Sequence, residues 1–404
     1  MLYNPPMKII IGSWNFPKQS GPTVAIKNYV SIFEKKGIDI RVISPSKEKD
    51  IPQHYPVKPS LALNTASSIL KIDEIGGFSP LAEREIKRIC DYFNPDIYWS
   101  QMIFLTEDSF ERVMCNSSKK KVVSIHSLGE DIAKDYTKKM LEKTLTPIGA
   151  SKTNRIIQKN IEKVATKQIK KRIRTVSKKI DAFIVPTNFV KKRLLEYGVK
   201  TKIYVVPTGV DKPQKPLSKR GLRKKFGIPE KTKVVMYAGR IAKEKNVDIL
   251  VKAIARMKRN DVYLLIIGEG NKEEISKIAK KEKVEKRIIF GGELEREELL
   301  NCYSGADVFV FASSTETQGL VIWESMIAGT PVVVNRLPIQ KDVYPRGTAI
   351  SVRKIHPEHY AKAIQNVLKN EKLRKKITKK AHNFVSKHTT EKTVEDLIKI
   401  FKNL

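Results

Sequence analysis

Residues 314–334 read Ser-Thr-Glu-Thr-Gln-Gly-Leu-Val-Ile-Trp-Glu-Ser-Met-Ile-Ala-Gly-Thr-Pro-Val-Val-Val. Two carboxylates, Glu316 and Glu324, stand with seven residues between them. Glu316 lies in a polar turn that follows an apolar strand, Asp307–Ala312. Glu324 lies within an apolar helix from Leu320 to Ala328, closed by Gly329 and followed by a second strand at Val332–Val334. A glycine-containing turn that opens a helix presents unbonded backbone N–H groups and the positive end of the helix dipole, and both suit a phosphate. Acids on either side of that phosphate suit hydroxyl groups. The stretch therefore fits a nucleotide-sugar better than a bare nucleotide, inside a strand–turn–helix–strand unit of an α/β protein.

The same alternation runs through the whole chain. Apolar, β-branched runs at Lys8–Ile11, Asp39–Ile43, Ile97–Trp99, Val122–Ile125, Ala182–Val185 and Ile203–Val206 are separated by helical periodicity. A second series follows at Val234–Ala238, Tyr263–Ile267, Arg287–Phe290, Val308–Phe311 and Pro331–Val334. Repeated βα units predict parallel sheets covered by helices on both faces. Between the two series, Pro207–Pro216 carries three prolines and no periodicity, which reads as a linker. A chain of 404 residues suits two domains. We expect Rossmann-like domains over 1–209 and 210–389. Ligands of such sheets sit beyond the carboxyl ends of the strands, so the informative loops are those after Ile11, Ile125, Ala238, Ile267, Phe290 and Phe311.

Composition narrows the partners. With 41% hydrophobic and 30% charged residues the chain has the makings of real cores, but its net charge of +35 is extreme. A cation of that strength is drawn to nucleic acid or to the anionic face of a membrane. Three dispersed cysteines with no ligand spacing point to a reducing compartment and structural thiols. The N-terminal run is a poor signal peptide, and no segment offers about 18 uninterrupted apolar residues to span a bilayer. The expected location is cytoplasmic, peripheral on the inner face of the cell membrane.

Several local patterns carry chemistry. In Tyr237–Asn246, Arg240 and Lys245 share one strand–helix loop behind Gly239, where both neutralise a pyrophosphate, and Asn246 is placed to cap the next helix. The alternative is that they are two of 78 basic residues. Gly268-Glu-Gly270 lets a nucleotide approach the backbone or is a simple turn. His126 closes a strand and precedes Glu130 and Asp131, although a satisfied structural histidine fits as well. Gly21 follows the first strand in Ser20-Gly21-Pro22 and serves a ligand or a tight turn. His356 and His359 have no third partner, so no metal site is expected. Residues 152–179 hold eleven basic residues and one acid with a helical apolar stripe, a pattern shared by a helix lying on anionic lipid and by a covering helix with a solvated face. No aromatics are interleaved there, so specific nucleic-acid binding is not expected.

Together, AGRIAKEKN, the strand–GEG turn and ETQGLVIWESMIAGTPVVV resemble the signatures of retaining GT-B glycosyltransferases of family four, and the resemblance covers nearly the whole chain. It implies a GT-B fold of two Rossmann-like domains with an interdomain cleft, the second holding a nucleotide-sugar, and a C-terminal helix at about 390–404 returning to the first. It also implies roles: Glu316 on hydroxyls of the donor sugar, the backbone N–H groups around Gln318, Gly319 and Leu320 holding sugar and diphosphate, Glu324 on the ribose, Arg240 and Lys245 on the diphosphate, and His126 near the transferred sugar. The form ETQGL, the block HSLGED and residues 183–211 look most like the diacylglycerol glucosyltransferases, membrane-surface enzymes with basic helices in the first domain. Trp323, Ser325 and Ser20-Gly21-Pro22 depart from the common pattern, and the last of these bears on the acceptor.

The implied reaction is hexosyl transfer with retention, from a nucleotide-sugar (UDP-glucose by likeness, GDP-mannose the rival) to a membrane lipid alcohol. No metal or other cofactor is expected, since no Asp-x-Asp motif is apparent and cationic side chains with helix N-termini stabilise the departing diphosphate. Alternatives are a soluble acceptor such as a polysaccharide or inositol-type alcohol, a nucleotide-sugar epimerase on the same fold, and a non-catalytic polyanion-binding protein.

Overall fold

The computed structural model describes residues 6–13, 21–44, 54–57, 79–103, 108–134, 137 and 152–404, with the backbone alone at 21–24 and 152–156. The chain forms two compact units, Met1–Pro207 with Thr393–Leu404 and Thr208–Lys392.

Among the described residues, unit 1 has seven strands: β1 (Lys8–Gly12), β2 (Asp39–Ser44), β3 (His54–Pro56), β4 (Ile97–Ser100), β5 (Lys120–Ser124), β6 (Ala182–Val185) and β7 (Lys202–Val205). They lie in the order β3-β2-β1-β4-β5-β6-β7, every neighbouring pair parallel. Alternate residues serve two cores, as the strand repeat of two demands. Ile10, Tyr98, Val123 and Phe183 face one. Ile9, Ile11, Trp99, Val122 and Ile184 face the other, where the helix Thr390–Lys402 delivers Val394, Leu397 and Phe401. The Phe401 ring meets Trp99 edge-on at 5.3 Å and stacks on Phe33 at 6.3 Å. Burying a side chain of this size is worth about 1.5–3 kcal/mol.

Unit 2 has six strands: β8 (Lys233–Ala238), β9 (Val262–Ile267), β10 (Ile288–Gly292), β11 (Val308–Phe311), β12 (Val332–Asn335) and β13 (Ile350–Val352). Their order is β10-β9-β8-β11-β12-β13, again all parallel. β8, β9, β11 and β12 are buried almost throughout, which only helices on both faces allow. The sheet order reverses between β8 and β11, the place where a doubly wound sheet opens a crevice at its carboxyl edge. In unit 1 the reversal falls between β1 and β4. Among the described residues no helix is long and apolar enough to cross a membrane.

The basic segment forms one helix, Lys152–Ser177. Its C-terminal half is packed into unit 1 through Ile169, Ile173 and Val176, and Arg172 grips buried Glu111 with both contacts at 2.6 Å. Its N-terminal half is different. Ile157 is 41% and Val164 59% exposed, with exposed Lys159, Lys163 and Lys167 around them. The C-terminal half thus covers the unit 1 core, and the N-terminal half presents a basic face with two apolar side chains in it.

Candidate functional site

The unit 2 residues singled out in the sequence gather at the carboxyl edge beside the β8–β11 reversal. Gly239, Arg240 and Lys245 follow β8, Gly268 follows β9, and Glu316 to Leu320 follow β11. Lys245 Nζ lies 2.5 Å from Glu316 Oε1 and 3.3 Å from Ser313 Oγ, over the face of Phe311. Both partners of the ion pair are only 15% exposed. Arg240 reaches outward, 64% exposed and 3.2 Å from Glu244.

The two loops are zipped together by backbone. Ser314 N donates to Glu244 O at 2.8 Å, and Asn246 Nδ2 donates to Ala312 O at 2.9 Å. Asn246 is left-handed at φ 51° and makes no side-chain cap, so its expected capping role is replaced by this tie to β11. Beneath, Tyr237 OH donates to Arg240 O, Tyr360 OH to Phe311 O, and Asn335 Nδ2 to Ser313 O. These bonds hold the turn without engaging Glu316.

Gly319, left-handed at φ 68°, precedes the helix Leu320–Ile327, and no side chain caps that helix. The N–H groups of Leu320 and Val321 have no intrahelical acceptor, while Ile322 N donates to Gly319 O at 2.9 Å, which makes the turn a ready anion site beside Lys245. The Gln318 side chain is held by Thr208: its Oε1 accepts from Thr208 N at 3.0 Å and its Nε2 donates to Thr208 O at 2.7 Å. The GEG turn has a structural cause. At φ 131°, Gly268 comes so close to Gly239 that an added Cβ would sit 2.1 Å from the Gly239 carbonyl oxygen. Gly270 meets Ile241 in the same way, so these glycines let the β8 and β9 loops touch.

Glu324, which the resemblance places on the ribose, is engaged by neighbours within unit 2. It is buried, with Arg296 Nη1 donating to Oε1 at 2.7 Å and Tyr303 OH to Oε2 at 2.9 Å. Its carboxylate is bound to the helix Arg296–Tyr303, and neither partner carried a signal in the sequence. Trp323 and Ser325, the departures from pattern, are core residues: Trp323 Nε1 donates to Val343 O and Ser325 Oγ to Ile322 O.

In unit 1, His126 is half-buried after β5, and burial pushes its pKa down to about 4, so the imidazole is neutral near pH 7. Gln101, unmarked in the sequence, meets His126 Nε2 at 3.0 Å. Glu130 is tied to its neighbours in unit 1. Arg193 and Tyr197 both donate to it, and Lys170 lies 3.1 Å away while also covering the Tyr197 ring. Burial raises its pKa, but the bonds from Tyr197 and Lys170 and the charge of Arg193 outweigh this and hold it below the ordinary value. The reason is mechanical: Glu130 joins the helical turn at 129–134 to the helices Lys152–Ser177 and Asn188–Glu196. Asp131 is half-buried in the same turn. Gly21 opens the helix Gly21–Lys35; Ser20 and the rest of the preceding loop lie outside the described residues. Among the described residues no three His, Cys, Asp or Glu side chains cluster as a metal site.

Comparison with known proteins decides the family. The profile "Glycosyl transferases group 1" matches residues 218–384, and "Glycosyltransferase Family 4" matches residues 20–213. The chain belongs to the family four, group 1 glycosyltransferases. An alpha-monoglucosyldiacylglycerol synthase of Streptococcus pneumoniae is 33% identical over 120 residues, 29% of this chain and 27% of that protein. A D-inositol 3-phosphate glycosyltransferase of Corynebacterium jeikeium is 28% identical over 195 residues, 45% and 46% of the two chains. The alignments thus span less than half of either curated relative. The Anabaena protein HepE, solved in complex with UDP-glucose, shares the fold of this glycosyltransferase at a TM-score of 0.72 and 15% identity, over 98% of this chain and 100% of that one. The fold is GT-B.

Proposed function

We propose that this glycosyltransferase moves a hexosyl group, glucose from UDP-glucose, to a lipid alcohol at an anionic membrane surface, with retention of anomeric configuration. The observation that carries the transfer is the Lys245–Glu316 pair beside the uncapped start of helix Leu320–Ile327. A diphosphate on those N–H groups lies next to Lys245 and within the reach of Arg240, leaving Glu316 to meet sugar hydroxyls. As the bond from the anomeric carbon to the phosphate oxygen breaks, negative charge grows on the diphosphate, and fixed cations and N–H dipoles stabilise it. The acceptor oxygen bonds to the same face, and its proton passes to the departing phosphate oxygen. Lys245 and Arg240 supply the positive charge in this scheme, so no metal ion is required.

The exposed Ile157 and Val164 among Lys159, Lys163 and Lys167 support the membrane-surface acceptor. The S. pneumoniae relative, an alpha-monoglucosyldiacylglycerol synthase, agrees with it. A soluble polyol phosphate is the second reading, favoured by the C. jeikeium relative. A screen of UDP- and GDP-sugars, with excess EDTA, against diacylglycerol in anionic vesicles and against inositol 3-phosphate tests both. Transfer to the soluble alcohol alone removes the lipid reading, and loss of all transfer in EDTA removes the metal-free one.

A further inference from the structure

The carboxyl edge of the unit 1 sheet carries a polar side chain with no part in the scheme above. Gln101 follows β4 at the strand reversal, and its backbone N–H donates to Gly12 O at 3.1 Å. The side chain is 2% exposed. Its Oε1 lies 3.0 Å from His126 Nε2. An amide oxygen only accepts, so the imidazole bears its proton on Nε2 and its lone pair on Nδ1. The other end of the amide is unmatched: Nε2 of Gln101 has no acceptor among the described residues. Its neighbours are satisfied, since Trp99 Nε1 donates to Ser124 Oγ at 2.9 Å and Ser100 Oγ to Met102 O at 2.9 Å. Buried donors without a partner are rare in folded chains, because desolvating them is costly.

We propose that Gln101 is a substrate-binding and positioning residue: its NH2 group donates to a hydroxyl oxygen of a sugar or polyol, while its oxygen fixes the orientation and tautomer of His126. This rests on the glycosyl-transfer reading above. A neutral amide suits a neutral hydroxyl, where a phosphate would draw a cation. The hydroxyl belongs either to the transferred hexosyl group or to the acceptor.

Two substitutions separate the roles. Gln101→Glu keeps an oxygen toward His126 and loses the donor, whereas Gln101→Met keeps the length and loses both. Each is assayed for hydrolysis of UDP-glucose without acceptor and for transfer to diacylglycerol in anionic vesicles, and the His126 tautomer is read from imidazole 15N shifts. We expect both variants to lose about ten- to a hundred-fold in kcat/KM, and Gln101→Met alone to lose the Nε2–H tautomer. Loss in both assays assigns the hydroxyl to the hexosyl group, and loss confined to transfer assigns it to the acceptor. Wild-type kcat/KM for Gln101→Glu in both assays, or an unchanged tautomer in Gln101→Met, overturns the proposal. If the unsubstituted protein turns over no nucleotide-sugar, the functional reading fails and takes the hydroxyl contact with it, while the 15N shifts still decide whether Gln101 positions His126.

Discussion

Lys245 and Glu316, 71 positions apart, meet at 2.5 Å because β8 and β11 are neighbours in the sheet. Each arrives on the loop that leaves the carboxyl end of its strand. The pair is largely shielded from water, so its charges act at short range with little screening.

Replacing Lys245 by Ala is expected to lower kcat for UDP-glucose turnover by about 10²–10³. Arg240→Ala gives a smaller loss, since that side chain is more exposed to water and ions. Steady-state kinetics check both. Wild-type turnover in the two variants would remove the diphosphate assignment.

Arg296→Met strips a buried carboxylate of its charged partner and is expected to cost about 3–5 kcal/mol of stability. The paired change Arg296→Met with Glu324→Leu recovers part of it, because no lone charge stays buried while the buried Tyr303 hydroxyl loses its acceptor. Urea unfolding measures the difference. Equal stability of the single variant and the wild type would mean that Glu324 does not depend on this contact.

Ile157→Ser with Val164→Ser is expected to weaken co-sedimentation with anionic vesicles about tenfold or more without changing the thermal midpoint, since neither side chain is in the core. Raising salt weakens the unsubstituted protein's binding as well, through Lys159, Lys163 and Lys167. Binding that ignores both changes would place the membrane contact elsewhere.

The Glu130 carboxyl is held below its ordinary value of 4.5 by Tyr197, Lys170 and Arg193. The sign follows from linkage: its contribution is complete above the unfolded pKa and is lost as pH falls through the lower folded value. Urea midpoints should therefore drop between about pH 5 and pH 3, and Glu130→Gln should flatten that drop. A variant with an unaltered acid limb would refute it.

Strands with β-branched runs were legible in the sequence, down to the ends of β6 and β11. The edge strands β3 and β13 were not, because three residues show no repeat. A linker read from prolines at 207–216 lies at the observed division, Pro207/Thr208. Lys245, Glu316 and Gly319 stand out in the sequence because their signals are local: a loop after a strand, a turn before a helix. Arg296, Tyr303 and Gln101 do not, since each is engaged through one side chain brought near by the sheet or by helix packing. The ties of Glu130 were hidden for the same reason, its partners lying 40 to 67 positions away. The GEG glycines were ambiguous until the touching backbone of the β8 loop was visible.

The burial of Phe401 against Trp99 and Phe33 sets an order on biosynthesis. Domains fold as units while the chain emerges from the ribosome, N-terminal first. Here the first unit synthesised cannot close one face of its core until its last helix has been released. Unit 2, contiguous from Thr208 to Lys392, has every residue it needs earlier. The half that emerges first is thus the half completed last, with Trp99 as a built-in fluorescent reporter of when that happens.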